Sequence, residues 1–561
     1  MSASPPPSTV GLLHQARDSG SGVVVGRLQA IEDFTRALAR HGALHEYALF
    51  CDARQQRALG PSLDALGGAR LRAVDRARLA AIDELGLTAW HDADFDTHRP
   101  FAIRATARRA YPVTLVHHTL SYKVLLHDVL RLLLSRAHPF DAVVCTSVAA
   151  REALRRMLDH VARDFEREHG LKLSFEGRLE TIPLAVDTDL YRPVDRSEAR
   201  ARFGFGADET VFLWLGRLSI IDKADLLPLL QAFEALRRAN PARRVRLVCA
   251  GTDRPGESFG RAIGEYAGYL GLGSSVNVMT DRATFMPHKP ALYSAADAFV
   301  SPVDNVQETF GLTPIEAMAC GVPQIVSDWD GYRDTVVDGE TGFLVPTTWT
   351  RSTRDLDLAA ATSDPAFDHL AMAESVVVDG PALLRAMQRL LDEPGLRARM
   401  AEASRRRAVA SFSWAPVVAR YESLWQELSA EARRDGVAPH DGLRYATPSW
   451  GSSFSHYATR ALDDSSVVVI TDRGRALARG ETQLFATYIE QWQVLDVNLL
   501  GRALTGLVAA DQRGSTLSVG RVADVLTKGS TDRASRDRVT RHVLFLMKYG
   551  YAALVEPSEG S

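Results

Sequence analysis

The sequence predicts an α/β protein made of two successive parallel-sheet domains and a smaller, mostly helical third region. Up to about residue 195, and again from residue 196, short apolar runs alternate with amphipathic helical segments. Such alternation is typical of βαβ units, whose strands run parallel within one sheet. A chain of 561 residues is also too long for a single hydrophobic core. We therefore expect domains over residues 11–195, 196–410 and 441–561, after a disordered terminus of residues 1–10.

The amino-acid composition argues against several classes of protein. The 66 basic and 69 acidic side chains nearly cancel, which argues against a dedicated nucleic-acid-binding protein. Cys51, Cys145, Cys249 and Cys320 lie in apolar runs without C-x-x-C spacing, so we expect buried thiols in a reducing compartment. The Ser- and Pro-rich start lacks a signal pattern, and no apolar run is long enough to span a bilayer. These features predict a cytoplasmic protein without a transmembrane segment.

The first domain opens with a predicted helix near Leu28–Arg40, where Ile31, Phe34 and Leu38 share one face. Glycines before this helix, including Gly22, would let the backbone approach a ligand, although a flexible loop explains them as well. Strands are predicted at Tyr47–Phe50, Val113–His117 and Ala142–Cys145.

The second domain repeats the pattern, and its ligand site is expected at the carboxyl ends of its strands. The stretch Trp349–Ala371 breaks the pattern with Thr, Ser and Asp clusters and is predicted to be an insertion. Strands are predicted at Val211–Leu215, Val245–Ala250, Val276–Met279, Ala298–Ser301 and Gln324–Ser327. Helices are predicted near Ala224–Arg238, Gly256–Leu270, Pro381–Leu391 and Leu396–Ala410.

A short helix over Pro314–Ala319 is the best specified element near the expected site. Thr313 is its predicted N-cap, and Glu316 at the third helical position completes a capping box. The first turn would present unpaired N–H groups and the positive end of the helix dipole, which suits a phosphate.

Two carboxylates flank this helix start. Glu308 and Glu316 can accept hydrogen bonds from vicinal hydroxyls, and Gly311 lets the N–H groups of an exposed Phe-Gly-Leu turn reach a ligand. Taken singly, Glu316 is explained as a helix cap and Glu308 as a solvated loop residue. Together with the phosphate-ready helix they predict a site for a polyol phosphate.

The segment Val303–Val345 resembles the nucleotide-sugar signature of GT-B glycosyltransferases, closest to the retaining enzymes of glycosyltransferase family 4. Their E-x7-E pattern corresponds to Glu308 and Glu316, and the match continues through EAMACGVP to GFLV. The resemblance implies a GT-B fold, in which two Rossmann-like domains face a cleft. It also implies that residues 411–430 form a helix that crosses back onto the first domain.

The resemblance further implies contacts to the leaving diphosphate and to the sugars. Arg217 and Lys223, in a Gly-Arg…Lys element that begins at Gly216, would contact the diphosphate, although each alone is explained as a surface cation. Glu316 would bind the ribose hydroxyls and Glu308 those of the transferred sugar.

The remaining implied residues lie in the turn and in the first domain. Phe310, Gly311 and Leu312 would offer backbone N–H groups to the donor, with Thr313 near the phosphate. His118 resembles the family's active-site histidine, although its neighbour His117 leaves the register open.

The implied reaction transfers a sugar from a nucleoside-diphosphate sugar, such as a UDP- or GDP-sugar, to an acceptor with retention of configuration. The donor is a substrate, so no cofactor is expected. No catalytic metal is expected either, because the acidic pairs Asp92/Asp94 and Asp187/Asp189 are short patterns in unsuitable contexts. A peripheral membrane contact or an anionic acceptor is one interpretation of Arg104 and its neighbours Arg108 and Arg109; a solvated surface is the other.

Residues 441–561 lie outside the resemblance and predict a winged-helix-like module. Four arginines near its end are expected to face solvent, and their alternation with aspartates favours protein docking or dimerisation over DNA binding. These arginines are Arg533, Arg536, Arg538 and Arg541. The elements predicted are a strand at Val467–Thr471, helices over Glu481–Ala510, Val519–Thr527 and Ser535–Tyr549, and a final segment Tyr551–Val555.

Two other function classes remain open. A nucleotide-sugar epimerase of the same fold would need acid and base groups flanking the sugar, and such enzymes lack the full ETFGL…EAMACG pattern. A non-catalytic sugar-nucleotide sensor with a DNA-binding tail is disfavoured by the retained Arg217, Lys223, Glu308 and Glu316.

Overall fold

The computed structural model divides into two units, one of residues 1–75 and 81–443 and one of residues 76–80 and 444–561. It describes residues 8–13, 26–51, 55, 70–105, 107, 109–122, 124–254, 256–362, 367–435, 453–484 and 495–555.

The first unit begins with a seven-stranded sheet in the order β3-β2-β1-β4-β5-β6-β7, with every pairing parallel. Its strands are β1 Thr9–Leu13, β2 Glu46–Cys51, β3 Leu71–Asp75, β4 Leu87–Asp92, β5 Val113–His117, β6 Ala142–Cys145 and β7 Arg178–Thr181. Its helices are α1 Gly26–His41, α2 Arg99–Arg104, α3 Val124–Leu134 and α4 Val148–His169. The three strands expected here are confirmed, and the order is that of a Rossmann-like domain.

The amino-terminal strand corrects the expected disordered start. Thr9 and Val10 belong to β1, are buried, and pair with Glu46 and Tyr47 of β2. A run of only five strand residues after a Pro-rich segment has too weak a sequence signal, so its position depends on the neighbouring strands.

A second parallel sheet follows, in the order β10-β9-β8-β11-β12-β13. Its strands are β8 Thr210–Leu215, β9 Val245–Ala250, β10 Val276–Met279, β11 Ala298–Ser301, β12 Gln324–Ser327 and β13 Gly342–Val345. Its helices are α5 Arg196–Phe203, α6 Leu227–Ala239, α7 Phe259–Tyr269, α8 Arg282–Phe285, α9 Lys289–Ala295, α10 Leu312–Ala319 and α11 Tyr332–Thr335. The five strands predicted for this domain are confirmed, and two Rossmann-like sheets within one unit confirm the predicted α/β fold class.

The predicted insertion is more regular than expected. It contains the helices α12 Arg354–Thr362 and α13 Phe367–Ala373, between the short antiparallel strands β14 Thr347–Thr348 and β15 Val377–Val378. The polar cluster that suggested an insertion belongs partly to a helix start, where Thr353 Oγ1 donates to Asp357. Three helices complete the unit: α14 Gly380–Asp392, α15 Pro394–Phe412 and α16 Trp414–Asp435.

Helix α16 packs on the first sheet although it follows the second in sequence. Val418, Tyr421 and Trp425 share a buried cluster with Val10 and Phe34 of the first domain. Trp425 Nε1 also donates to Thr114 Oγ1 of β5 at 3.0 Å. The helix therefore ties the two sheets into one unit.

The second unit holds a three-stranded antiparallel sheet in the order β17-β16-β18. Its strands are β16 Val467–Ile470, β17 Leu517–Ser518 and β18 Ala552–Leu554, and its helices are α17 Asp472–Ala478, α18 Val497–Asp511, α19 Val519–Leu526 and α20 Arg533–Lys548. The long helix expected from Glu481 is wrong at its start: residues 481–484 are not helical, and α18 begins after the N-cap Asp496. Residues 485–494 lie outside the described part of the chain.

One of the arginines of α20 does not face solvent as predicted. Arg536 pairs with Asp524 and Asp464, and its side chain is only 20% exposed. Arg538 pairs with Asp496 but is 50% exposed, so the prediction holds for it.

Replacing Trp425 with Ala is expected to lower the free energy of unfolding by about 3–5 kcal/mol, because a fully buried indole and its hydrogen bond are lost. Urea denaturation measures the change. Gln426→Ala, at an exposed position on the same helix, is the control. Equal stability of the two variants would contradict this account of α16.

Candidate functional site

The loops after β8 and β11 meet because β11 pairs directly with β8. This brings together two predicted residues: Lys223 Nζ donates to Glu308 Oε2 at 2.5 Å. The two side chains are 12% and 16% exposed, so the ion pair is largely buried. At Gly216 a Cβ would lie 3.0 Å from Lys223 Cε and 2.9 Å from the Trp214 ring, so glycine leaves room for the lysine.

Lys223 stays charged in this setting. Burial lowers its pKa, but the carboxylate of Glu308, followed by Tyr332 and Asp330, raises it, and the net direction is upward. The charge of Lys223 is therefore fixed by its neighbours.

Asp330 is a neighbour that sequence reasoning missed. Its φ of 39° is left-handed, and its Oδ2 is buried with no hydrogen-bond partner in the described ranges. Burial, then the charge of Glu308, raises its pKa well above the usual value. The Asp-Gly pair at Asp330-Gly331 was the available signal, since both residue types tolerate turns.

Arg217 also forms an ion pair at the carboxyl end of β8. Its Nη1 donates to Oδ2 of Asp222, a residue that is 4% exposed. Asp222 was not singled out from the sequence, because an acidic residue beside a lysine is common on surfaces.

The Phe-Gly-Leu turn differs from the expectation. Phe310 is 1% exposed rather than exposed, and its ring packs edge-on against Phe412 at 5.9 Å. Gly311 has φ +91°, and a Cβ there would lie 2.3 Å from the Tyr332 ring. Only glycine fits this position.

The helix start is shifted by two residues. Gly311 is the N-cap of α10, which begins at Leu312, and no side chain caps it. The predicted cap Thr313 is wrong: its Oγ1 is buried and has no partner in the described part of the chain. The positive φ of Gly311 turns the chain into the helix before Thr313 is reached.

Glu316 does not form the predicted capping box. Its Oε1 accepts from Lys289 Nζ at 2.7 Å and its Oε2 from the Tyr293 hydroxyl at 2.7 Å. Burial, then Glu316, raises the pKa of Tyr293 well above its usual value, so the phenol remains a donor. The carboxylate is thus held by α9, a contact that no local rule in the sequence predicts.

His118 lies where the first domain meets the loop after β11. Its Nε2 is 2.9 Å from the Ala93 carbonyl, and its own carbonyl accepts from Thr309 Oγ1 at 2.8 Å. Thr309 also accepts from Thr146 Oγ1 at 3.3 Å. His117 is fully buried, and burial, with a smaller effect of His118, lowers its pKa to about 3. Of the two, His118 is the one in contact with the second domain; Gly22 lies outside the described residues.

The acidic pairs have structural roles. Asp92 Oδ1 accepts from the N–H of Asp94, and Asp187 Oδ1 accepts from that of Asp189. No group of three His, Cys, Asp or Glu side chains in the described ranges is arranged to hold a metal ion.

Arg104 is not part of a basic surface. It is 8% exposed and pairs with buried Asp141 at 2.5 Å. The four cysteines are free and buried, as expected. Across the described helices, none is both long and apolar enough to cross a bilayer.

Residues 209–356 match the family model described as Glycosyl transferases group 1. D-inositol 3-phosphate glycosyltransferase from Nocardia farcinica is 33% identical over 196 residues, which are 34% of this chain and 41% of that protein. The enzyme of the same name from Geodermatophilus obscurus is 30% identical over 308 residues, 53% of this chain and 55% of that protein. The chain thus spans about half the length of these relatives.

A solved structure with a similar fold is sucrose-phosphate synthase from Thermosynechococcus elongatus, at a TM-score of 0.49 and 22% identity over 76% of this chain and 100% of that one. The family match covers β8 to β13 and the loops that carry Lys223, Glu308 and Glu316. The family match confirms the predicted resemblance of this segment to glycosyltransferases.

Replacing Gly311 with Ala is expected to lower the free energy of unfolding by about 1–3 kcal/mol and to abolish most turnover, since the methyl group meets Tyr332 at a left-handed position. Thermal unfolding and donor turnover measure the two effects. Gly264→Ala on α7, where the added methyl group meets nothing, is the control and is expected to be neutral or stabilising. Normal turnover in Gly311→Ala would contradict the proposed turn geometry.

Asp304, in the loop after β11, is expected to make stability depend on pH. It is 6% exposed, and burial raises its pKa to about 7. Between about pH 4 and 7 the folded protein holds this proton while the unfolded chain releases it, so the wild-type unfolding free energy falls by up to about 1.4 kcal/mol per pH unit as pH rises. Asp304→Asn removes this contribution.

Urea denaturation from pH 4.5 to 8 tests this expectation. The stability of Asp304→Asn relative to wild type should increase up to about pH 7 and then level off. Asp208→Asn, at an exposed position, is the control and should follow the wild-type profile. Parallel profiles for Asp304→Asn and wild type would be inconsistent with a protonated Asp304.

Proposed function

We propose that this protein is a glycosyltransferase that moves a sugar from a nucleoside-diphosphate sugar to an acceptor hydroxyl with retention of anomeric configuration. The observation that carries the proposal is the buried Lys223–Glu308 pair at the joined ends of β8 and β11. It lies within the segment that matches the glycosyltransferase group 1 family.

The donor diphosphate is the chemical reason for fixed cations here. When the sugar C1–O bond breaks, negative charge develops on the departing phosphate, and preorganised cations and N–H groups stabilise it without reorganisation. Lys223, Arg217 and the amino-terminal turn of α10 would supply this stabilisation. A Cβ at Gly311 would meet the Tyr332 ring, so glycine is needed for the turn that leads into this helix.

The carboxylates serve the hydroxyl groups. Glu308 would accept from hydroxyls of the transferred sugar, and Glu316 from those of the ribose, since each carboxylate has lone pairs beyond its present partners. His118 would face the sugar from the first domain.

The proposed transfer balances within donor and acceptor. The bond between C1 and the phosphate oxygen breaks as the bond between C1 and the acceptor oxygen forms on the same face. The acceptor proton passes to the departing phosphate oxygen, so the side chains of the chain position the reactants and stabilise charge.

Incubation with UDP- and GDP-sugars and an acceptor panel tests the activity. The panel includes D-inositol 3-phosphate, the compound in the relatives' names. Acceptor-dependent release of nucleoside diphosphate supports the proposal, and NMR of the product assigns the anomer. Conversion of the donor to its epimer without diphosphate release would favour the epimerase instead.

Lys223→Ala and Glu308→Gln are each expected to lower turnover by about 10²–10³-fold, because each removes a preorganised charge at the reacting centre. Steady-state kinetics measures the loss, and thermal unfolding checks the fold. Lys172→Ala, at an exposed lysine outside the proposed site, is the control. Near-normal turnover in either variant would show that the replaced residue does not belong to the proposed site.

A further inference from the structure

Asp222 is a buried carboxylate with two arginines on one of its oxygens. Arg217 Nη1 donates to Asp222 Oδ2, and Arg254 Nη1 lies 3.8 Å from the same oxygen. Asp222 Oδ1 is buried and has no hydrogen-bond partner in the described ranges. Asp222 therefore interacts with these two arginines through Oδ2.

The backbone brings together the two loops that carry the arginines. Leu218 and Asp253 form a parallel bridge, and the Leu218 N–H donates to the Thr252 carbonyl at 3.0 Å. A Cβ at Gly251 would lie 2.0 Å from the Gly216 carbonyl oxygen, so the loops after β8 and β9 are in direct contact. Arg217 precedes one bridged residue and Arg254 follows the other.

We propose that Arg254 is a second guanidinium of the donor diphosphate site and that Asp222 is a positioning residue that holds Arg217 and Arg254 together. The inference rests on the proposed function and extends it to the phosphate contacts. With Glu257 near Arg254, the two guanidinium groups face two carboxylates, so their local charge is balanced. What suits a diphosphate is the number of N–H donors, because two guanidinium groups can contact both of its phosphates and a monophosphate offers only one.

Both arginines retain donors for a ligand. A guanidinium has five N–H groups, and the side chains of Arg217 and Arg254 are 27% and 36% exposed. Arg254 also faces Glu257, at 3.7 Å from its Nε, on the other side of the guanidinium. Planar guanidinium groups bind phosphate oxygens in a bidentate manner, which favours Arg over Lys for this role.

Tyr122 of the first domain lies near the arginine pair. Burial, then the charge of Asp222, raises the pKa of Tyr122, whereas Arg217 and Arg254 lower it. The phenol is therefore within electrostatic reach of all three groups. Because Tyr122 follows β5 and His118 in the chain, the arginine pair lies near this part of the first domain.

Calorimetric titration with UDP, GDP, UMP and GMP tests the role of Arg254. Arg254→Gln is expected to weaken binding of the diphosphate that wild type prefers by about 10–100-fold, the effect of losing charge-assisted hydrogen bonds. Binding of the matching monophosphate should change less than about twofold. Arg261→Gln, at an exposed arginine of α7 that pairs with Glu265 and donates to Ser258, is the control and should bind like wild type.

Asp222→Asn separates positioning from direct contact. This variant keeps the side-chain size, so weaker diphosphate binding with an unchanged melting temperature supports the positioning role. In the double variant the effect of Arg254→Gln should be smaller than in wild type, because Arg254 is no longer held in place.

Three results would overturn the inference. They are wild-type diphosphate binding by Arg254→Gln, an equal loss of diphosphate and monophosphate binding in that variant, and full additivity of its effect with that of Asp222→Asn. Wild type that binds neither diphosphate would instead overturn the proposed function, and the inference with it. The two failures are therefore distinguishable.

Discussion

The buried ion pair between Lys223 and Glu308 is the interaction on which the arrangement of the site depends. Removing two charges from water is costly, and the cost is offset only when the partners are close and well aligned. The pairing of β11 with β8 supplies that alignment, because it places the two loops side by side. Gly216 then leaves space for the lysine chain.

The same pairing of a cation with a carboxylate occurs at two further points of the site. Arg217 pairs with Asp222, and Lys289 with Glu316. In each pair the carboxylate orients the cation and balances its charge. Repulsion between the cations is therefore reduced. On the proposed function, an arriving diphosphate takes over part of the cation's hydrogen bonding. The carboxylates of Glu308 and Glu316 can then accept more hydrogen bonds from hydroxyl groups of the donor. The same ion pairs thus serve both the diphosphate and the sugars of the donor.

Much of the second domain was predictable because its strands are short, apolar and separated by regular helices. Lys223 and Glu308 were identified from sequence motifs. Their direct contact was not, because it depends on the order of the strands in the sheet. The capping box at Thr313 and Glu316 was wrong for a physical reason: tertiary contacts from Lys289 and Tyr293 outcompete a local cap. Phe310 was expected to be exposed, since a Phe-Gly-Leu turn has no local sign that Phe412 will cover it.

The loop after β11, which carries Glu308, also contacts the first domain. Thr309, next to Glu308, donates to the carbonyl of His118 in the first domain. This hydrogen bond is partly buried, and leaving its groups unpaired is costly, so this loop and the residue after β5 are coupled. Any displacement of Glu308 by a bound sugar would be transmitted through Thr309 to His118. The residue proposed to hold the sugar and the histidine proposed to face it are therefore linked through a single side chain, and the site depends on both domains being joined.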